Sequence, residues 1–318
     1  MAGTSMRDIK RRIRSVKSIE NITNAMKLVS SAKLRRARLL YERTHESLVR
    51  IEERIEEIFD HPAEVPSQFL LGGREIKRTC YIVITSNRGL AGSYNANVIK
   101  LAEREFDKSA KEGHEEPLFV FIGNRGMSYF KKRGHEVFEE YHGPLEVVSF
   151  AEASALASPL VELYESGEID EIAVVSTVFV SAMEQRPKVI RLLPFNVEIA
   201  SESESGDEEN VESVGLVKKV SEDWDPEAPI DTWKVEYEPD VEKVLGFLVS
   251  KYVDIMMFRA IIEAATCEHA ARRIAMQNAT DNAREMIESL ELSFNRARQA
   301  AITREITEIV SGADAVKR

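Results

Sequence analysis

The chain has 318 residues, of which 43% are hydrophobic, and a formal net charge of −11. That apolar content excludes a wholly disordered chain, and the length is typical of about two domains. No run of 18 apolar residues occurs, so the sequence predicts no membrane-spanning helix. The two cysteines, Cys80 and Cys267, lie far apart, which excludes a disulfide framework or a zinc cage.

Proline and glycine divide the chain into three regions. All ten prolines lie within 62–239, and the ranges 4–71 and 247–311 contain no glycine. Because proline breaks helices and glycine weakens them, the sequence predicts a long helix at each end and a globular insert between them.

The first long helix is predicted from Ser5 to Phe59. Ser5 followed by Asp8 is the pattern of a helix N-cap, and about 55 residues would span about 82 Å. Apolar residues spaced by three and four predict one buried stripe. The stripe comprises Met6, Ile9, Ile13, Val16, Ile19, Ile22, Met26, Val29, Leu48, Ile51, Ile55 and Ile58.

The second long helix is predicted from Pro239-Asp240 to Ser311-Gly312, where the glycine is expected to stop it. About 72 residues would span about 108 Å. Its stripe is rich in alanine toward the C-terminus, which allows a partner to approach closely. The stripe comprises Leu245, Leu248, Tyr252, Ile255, Ile262, Ala279, Ala283, Met286, Leu290, Phe294, Ala297 and Ala301.

Neither helix fits inside a compact domain, whose radius of gyration is about 15–20 Å. Each helix needs a partner for its stripe, and the chain returns after the insert. The sequence therefore predicts a long antiparallel two-helix coiled coil. The alternative is that the two helices pack separately on the middle domain.

The middle region has the pattern of an α/β domain. Strands alternate with helices, which indicates a mainly parallel sheet. The predicted fold is a Rossmann-like α/β domain inserted between the N- and C-terminal helices, with a hairpin around 184–187. The predicted strands are 79–86, 117–123, 169–181 and 188–195, and the predicted helices are 91–111, 125–133 and 149–165.

The expected domains are a helical shaft, 1–60 with 240–318, an α/β domain, 76–200, and an acidic insertion, 201–239. Residues 201–240 contain fourteen acidic and three basic residues, a net charge of −11. This segment is too polar to form a core, so we expect a mobile surface loop.

Residues 7–38 carry the opposite charge, with eleven basic and two acidic residues and a net charge of +9. Three interpretations are open: a solvated helix face, a contact with nucleic acid or an anionic membrane, and a contact with an acidic protein. An Arg-rich N-terminus is also typical of transit peptides, but this stripe continues without a break into the long helix.

Two glycine motifs follow predicted strands: SNRGLAGSYNANV (86–98) and GNRGMS (123–128). Phosphate-binding loops occupy this position in α/β folds, but neither motif completes G-x-G-x-x-G or a P-loop. We interpret both as tight strand-to-helix turns. No catalytic set or metal-ligand spacing stands out, a lone His269 is expected at a helix surface or seam, and no cofactor is expected.

Three segments closely resemble the gamma subunit of the rotary, F-type ATP synthase. They are MRDIKRRIRSVKSIENITNAMKLVSSAKLRRAR (6–38), SNRGLAGSYNANV (86–98) and AMQNATDNAREMIESLELSFNRARQAAITREITEIVSGADA (275–315). The resemblance spans the chain except the acidic segment. It implies a non-catalytic rotor subunit whose two helices form the central shaft of the complex.

The resemblance also implies the partners. The shaft would turn inside a hexamer of alpha and beta subunits, above the epsilon subunit and the ring of membrane c subunits, and would couple ion flow to ATP synthesis. The chain would lie on the cytoplasmic face of the cell membrane, attached only through the complex and without a nucleic-acid partner. The alternatives are a phosphate-binding α/β enzyme and a nucleic-acid scaffold.

Two sets of contact residues follow from the resemblance. Contacts with acidic loops of the beta subunits are expected at Met26, Lys27, Arg272, Arg298, Gln299, Thr303 and Glu305. Contacts with the c ring are expected at Tyr237, Glu238 and Asp240 in a YEPD segment. Photosynthetic relatives carry two regulatory cysteines near 201–236, and this segment has none, so thiol control is not expected.

Overall fold

The computed structural model describes residues 6–59, 69, 75–195 and 241–316, without the side chains of 45, 46, 56–59, 241 and 311–316. The helices are α1 (Met6–Phe59), α2 (Tyr94–Lys111), α3 (Asn124–Lys131), α4 (Phe150–Ser166) and α5 (Val241–Val316), with a short 3-10 helix at Leu145–Val147. The strands are β1 (Thr79–Ile84), β2 (Leu118–Ile122), β3 (Glu139–Tyr141), β4 (Glu171–Phe179) and β5 (Gln185–Leu193).

Both long helices are confirmed, with 54 residues in α1 and 76 in α5. The predicted stop at Ser311-Gly312 is wrong, because α5 continues to Val316. A single glycine costs a helix about 1 kcal/mol but leaves its backbone hydrogen bonds intact.

The chain divides into two compact units. The first unit consists of the described residues of Met1–Ser31 and Arg272–Arg318, and the second consists of those of Ala32–Ala271. Both units contain a part of α1 and a part of α5. The expected domain bounds at 60, 76, 200 and 240 stay a prediction, and the acidic insertion 201–239 lies outside the described residues.

The second unit contains a five-stranded sheet in the order β3-β2-β1-β4-β5. The first four strands are parallel, as predicted, and β5 is antiparallel to β4. The turn of this hairpin lies at 180–184, earlier than predicted, because β5 already begins at Gln185. The sequence analysis missed β3, since its three residues, Glu139 to Tyr141, contain no apolar run.

Both faces of the sheet are covered, which explains the continuous apolar strands. One face carries Tyr81, Val83 and Phe121 and packs against α2 and α3. The other face carries Ile82 and Ile84. It packs against α4 and against the parts of α1 and α5 that belong to the second unit, so the sheet lies between two helical layers.

The buried residues of α1, which form its seam, lie at a different angle around the helix from the predicted stripe. Ile9, Thr23, Ser30, Ala37 and Thr44 are all buried, and their positions are multiples of seven apart. The remaining seam position in that series, Val16, is half-buried, and a second series of buried or half-buried residues runs through 13, 20, 27, 34, 41, 48 and 55.

The stripe prediction is wrong for part of α1 because the true seam contains small polar residues. Ile19, Ile22 and Val29 are exposed, with Ile22 56% accessible. A search for apolar residues passes over Thr23 and Ser30, although their short side chains suit a position where two helices approach closely.

In the first unit the two helices run antiparallel. The Thr280 and Thr23 hydroxyl oxygens are 2.8 Å apart, and Arg284 Nε donates to Glu20 Oε1 at 2.9 Å. Moving forward from Thr280 to Arg284 on α5 therefore corresponds to moving backward from Thr23 to Glu20 on α1. On α5 the buried residues Met276, Thr280 and Ala283 line this seam.

Candidate functional site

The carboxyl edge of the parallel sheet is the place where α/β folds bind phosphates. After β1 the chain turns through Leu90 and Gly92, which have φ of 63° and 60°, into α2. The Ser86 backbone N–H donates to Asn95 Oδ1 at 2.9 Å, and the Ser86 hydroxyl donates to the Arg88 carbonyl at 2.6 Å. The SNRGLAG motif thus forms a turn stabilised by its own side chains.

The same turn caps the first residues of α3. The Asn124 N–H donates to Asn87 Oδ1 at 3.1 Å, and the Gly126 N–H donates to Thr85 Oγ1 at 2.9 Å. The Arg125 N–H donates to the carbonyl of residue 86 at 3.1 Å. An incoming phosphate would need these N–H groups, and each of them already has an acceptor inside the protein.

Helix α5 covers the edge where β1 and β4 end. Tyr94 donates its hydroxyl to the Ala264 carbonyl at 3.2 Å, and Cys267 packs with Tyr94 and Ala91 in a small buried cluster. The Cys267 thiol donates to the Thr177 carbonyl at 3.3 Å, and burial raises its pKa well above the ordinary value. The edge is therefore filled by protein.

Two cavities lined by described residues lie elsewhere, one beside α2 and one beside β3. One of about 490 Å³ is lined by Lys100, Arg104, Arg133 and His135 together with Glu103, Asp107 and Phe106. A second of about 390 Å³ is lined by Lys131, His135, Val137, Phe138, Glu139 and Glu140. Both linings mix acids and bases, and several of these charges pair with each other, as Lys131 does with Glu140 at 2.5 Å.

Metal and membrane features are also absent from the described part of the chain. No group of three or more His, Cys, Asp or Glu side chains within it has metal-binding geometry. None of its helices holds an 18-residue stretch apolar enough to span a bilayer.

The predicted beta-subunit contacts all fall in the first unit. They form two groups: one comprises Arg272 of α5 with two residues of α1, and the other lies further along α5. Arg272 is buried, with 8% exposure, and on α1 Met26 and Lys27 are half-buried. The other group is fully exposed on the last turns of α5 and comprises Arg298, Gln299, Thr303 and Glu305. Arg272 and Arg298 are about 39 Å apart along the helix at about 1.5 Å per residue.

The tip of α5 carries an exposed apolar surface. Ile302, Ile306, Ile309 and Val310 are all exposed, with Ile309 71% accessible. The antiparallel register in the first unit places Met6, the first described residue of α1, opposite about residue 298. The apolar tip thus begins where the described part of α1 ends.

The predicted c-ring contacts, Tyr237, Glu238 and Asp240, lie outside the described residues. Sequence reasoning missed the polar residues of the seam, Thr23 and Thr280, and two carboxylates, the half-buried Glu146 and the buried Glu263. The seven-residue spacing of Thr23, Ser30 and Thr44 was the signal that would have revealed the seam.

Comparison with known proteins matches almost the whole chain. A family described as ATP synthase matches residues 5–316. The "ATP synthase gamma chain" of Alkaliphilus metalliredigens is 41% identical over 315 residues, which is 99% of this chain and 100% of the relative. The "ATP synthase gamma chain, sodium ion specific" of Acetobacterium woodii is 40% identical over 314 residues, 98% of this chain and 99% of the relative.

The fold agrees with solved structures. A chain from the Euglena gracilis mitochondrial ATP synthase, solved with OSCP, F1 and the c-ring, has a TM-score of 0.60 at 18% identity. This match covers 98% of the present chain and 94% of that one. A chain from the central stalk and c-ring of the Tetrahymena thermophila mitochondrial ATP synthase has a TM-score of 0.55 at 19% identity. This match covers 81% of the present chain and 99% of that one. On the full-length match to the family and its relatives, this chain belongs to the ATP synthase gamma chain family.

Proposed function

We propose that this chain is the central-stalk rotor subunit of an F-type ATP synthase. The observation that carries the proposal is the antiparallel pairing of α1 and α5 in the first unit, with an apolar helix tip beyond it. Two paired helices in a coiled coil resist twisting better than one, which suits a shaft that turns inside the hexamer of alpha and beta subunits.

The chemistry of the tip suits rotation. Apolar contacts are non-directional, so Ile302, Ile306 and Ile309 can turn in an apolar sleeve without a preferred angle. Directional contacts with acidic loops of the beta subunits are assigned to the arginines, Arg272 and Arg298, since guanidinium pairs with carboxylate in a forked geometry. Met26, Lys27, Gln299, Thr303 and Glu305 complete the proposed contact set.

The remaining partners are proposed to be the epsilon subunit and the c ring, the latter through Tyr237, Glu238 and Asp240. Rotation of the c ring would turn the shaft and drive the beta subunits through binding, synthesis and release of ATP. Because coupling between sites is reciprocal, ATP hydrolysis would drive rotation backwards. The chain would sit on the cytoplasmic face of the membrane, peripheral and attached through the complex.

We infer that the chain itself is not catalytic and that its α/β part is a Rossmann-like scaffold. The closed carboxyl edge of the sheet supports this, because Tyr94, Cys267 and the α3 cap occupy the place of a nucleotide. Titration of the purified chain with ATP and ADP, followed by calorimetry, is expected to give no saturable heat. Saturable micromolar binding would support a phosphate-binding enzyme instead.

The rotor proposal is tested by affinity purification of the tagged chain from membranes in mild detergent. Alpha, beta, epsilon and c subunits are expected to co-purify in fixed ratio, and the preparation should hydrolyse ATP. A matched preparation carrying the tag on the alpha subunit serves as a control for complex integrity. A chain that purifies alone while the control yields a complex without it would overturn the proposal.

A further inference from the structure

Two carboxylates in the second unit, one buried and one half-buried, each join α1 and α5 to the α/β part. The first is Glu263 of α5. Its Oε1 accepts the backbone N–H of Phe179, the last residue of β4, at 2.9 Å. The same oxygen accepts the hydroxyl of Tyr41, on α1, at 3.3 Å. One side chain therefore binds the sheet and both long helices.

Arginine completes this first junction. Arg259 lies one turn before Glu263 on α5, donates to the Tyr41 hydroxyl at 3.4 Å, and holds its guanidinium 5.6 Å from the centre of the Tyr41 ring. Burial raises the pKa of the Glu263 carboxyl, so its charge is costly to keep. Buried charges of this kind serve better to fix one geometry than to add stability.

The second junction is Glu146, in the 3-10 helix that leads into α4. It forms an ion pair with Lys33 of α1, and its Oε2 lies 3.7 Å from Nε2 of His269 on α5. Its neighbour Leu145 is buried in the core between the sheet and the helices. This carboxylate again contacts α1 and α5 from a fixed point of the α/β part.

The buried surface of α5 near these junctions combines the branched side chains of Ile261 and Ile262 with several alanines. Buried positions of α5 in this stretch include Ala260, Ala264, Ala265 and Ala270, and α1 contributes Ala37. The side chain of alanine is a single methyl group that interlocks weakly with its neighbours. Contacts made by these alanines therefore oppose separation of the helices more strongly than they oppose rotation or sliding. Hydrogen bonds are directional and therefore add resistance to rotation and sliding.

We propose that Glu263 and Glu146 are positioning residues that fix the rotation of α1 and α5 about their own axes against the sheet, so that torque enters the helices without slipping. This inference rests on the proposed rotor function. Removing both junctions should leave only apolar packing to resist rotation of the helices, so that they can turn partly against the sheet. ATP hydrolysis would then continue while less of each turn reaches the c ring.

The test uses the assembled complex, purified and reconstituted in vesicles with the variants Glu263→Leu, which removes the accepting oxygen, Glu146→Gln, which removes the charge, and both together. Glu162→Gln is the matched control, because Glu162 is exposed on α4 in the same unit. The readout is ATP-driven uptake of protons and of sodium, divided by the rate of ATP hydrolysis in the same vesicles. A purely structural role would lower both rates together through loss of complex and leave this ratio unchanged.

We expect a ratio several-fold lower in the double variant, smaller losses in the single variants, and no change for Glu162→Gln. Exchanging the charges, with Lys33→Glu and Glu146→Lys together, should restore part of the ratio lost by Glu146→Gln. An unchanged ratio of ion uptake to ATP hydrolysis in the double variant would overturn the inference. If the double variant does not assemble, an unchanged ratio in Glu146→Gln would overturn it instead. Failure of the unaltered chain to co-purify with the other subunits would instead overturn the proposed function.

Discussion

At the scale of residues, the contact between Gly123 and Thr85 leaves no room for a side chain at position 123. Gly123 follows β2 with φ of 91°, and a Cβ placed there would lie 2.0 Å from the Thr85 carbonyl oxygen. The close approach lets the turn after β1 cap α3. It explains why a glycine motif occurs here without any phosphate to bind.

Gly123→Ala is expected to destabilise the chain by about 3 kcal/mol or more, since the backbone would have to move and the positive φ adds strain. Gly134→Ala is the matched control, because Gly134 has φ of 88° but nothing within 4 Å of the added Cβ. That variant should lose only about 1–2 kcal/mol. Urea unfolding measures both, and equal losses would contradict the packing explanation.

The Glu146 junction predicts a dependence of stability on pH. Contact with the His269 imidazole, and then with the Lys33 ammonium, holds the pKa of the Glu146 carboxyl well below its ordinary 4.5. A carboxyl with a lowered pKa in the folded state contributes its full stability above the unfolded pKa and loses it as the pH falls further.

The free energy of unfolding should therefore differ most between the unaltered chain and Glu146→Gln above pH 4.5. The difference should shrink steadily as the pH falls below that value. Urea unfolding of both proteins at a series of pH values provides the measurement. A difference that stays constant, or grows on acidification, would show that the charge of Glu146 is not what holds the junction.

At the scale of elements, the seam of the first unit contains a buried hydroxyl pair. Thr280 bonds the carbonyl of Met276 on its own helix at 2.7 Å and also contacts Thr23 of α1 at 2.8 Å. Thr307 makes the same bond within α5, to the Thr303 carbonyl at 2.8 Å, but is exposed. The two threonines differ in the cross-helix contact and in burial.

Thr280→Val is expected to weaken the pairing of α1 and α5 by about 1 kcal/mol, while Thr307→Val should change little. Adding Thr23→Val should restore most of the loss, because both polar partners are then gone. Hydrogen exchange of the peptide covering 18–30 reports the local stability. If the double variant were weaker than the sum of the single variants, the hydroxyl pair would not be the cause.

The elements that could be predicted are those with a strong signal in the sequence. The long helices follow from the absence of proline in 1–61 and 240–318, and the parallel strands follow from apolar runs buried on both faces. Strand β3 was missed because two of its three residues are glutamates at the sheet edge. The predicted stripe of α1 was misplaced because Thr23 and Ser30 are polar. A search by hydropathy alone does not count such residues as buried.

At the scale of the whole molecule, the family was evident from the sequence, whereas the individual contacts were not. Short motifs such as SNRGLAG and the C-terminal run from 275 are specific enough to identify relatives. The role of Arg298 or Glu305, in contrast, depends on the surface of a partner, which a single chain does not encode. The Glu146 and Glu263 junctions were also invisible, because they join residues more than 80 positions apart.

Ending the chain after Arg296 is expected to reduce coupling more than assembly, because this removes the apolar tip and four of the proposed contact residues. ATP-driven ion uptake per ATP hydrolysed should fall several-fold while the subunits still co-purify. A chain ended after Val310 is the control, since it keeps Arg298, Gln299, Thr303 and Glu305. Unchanged uptake in the shorter chain would show that the tip contacts are wrongly assigned.

The unbroken course of α5 from Val241 to Val316 constrains how its length can evolve. Each residue turns an α-helix by about 100°, so a one-residue insertion between 273 and 296 would point every later side chain in a new direction. Seven inserted residues would return the tip to within about 20° of its original angle. Insertions and deletions in this helix should therefore be tolerated in whole heptads.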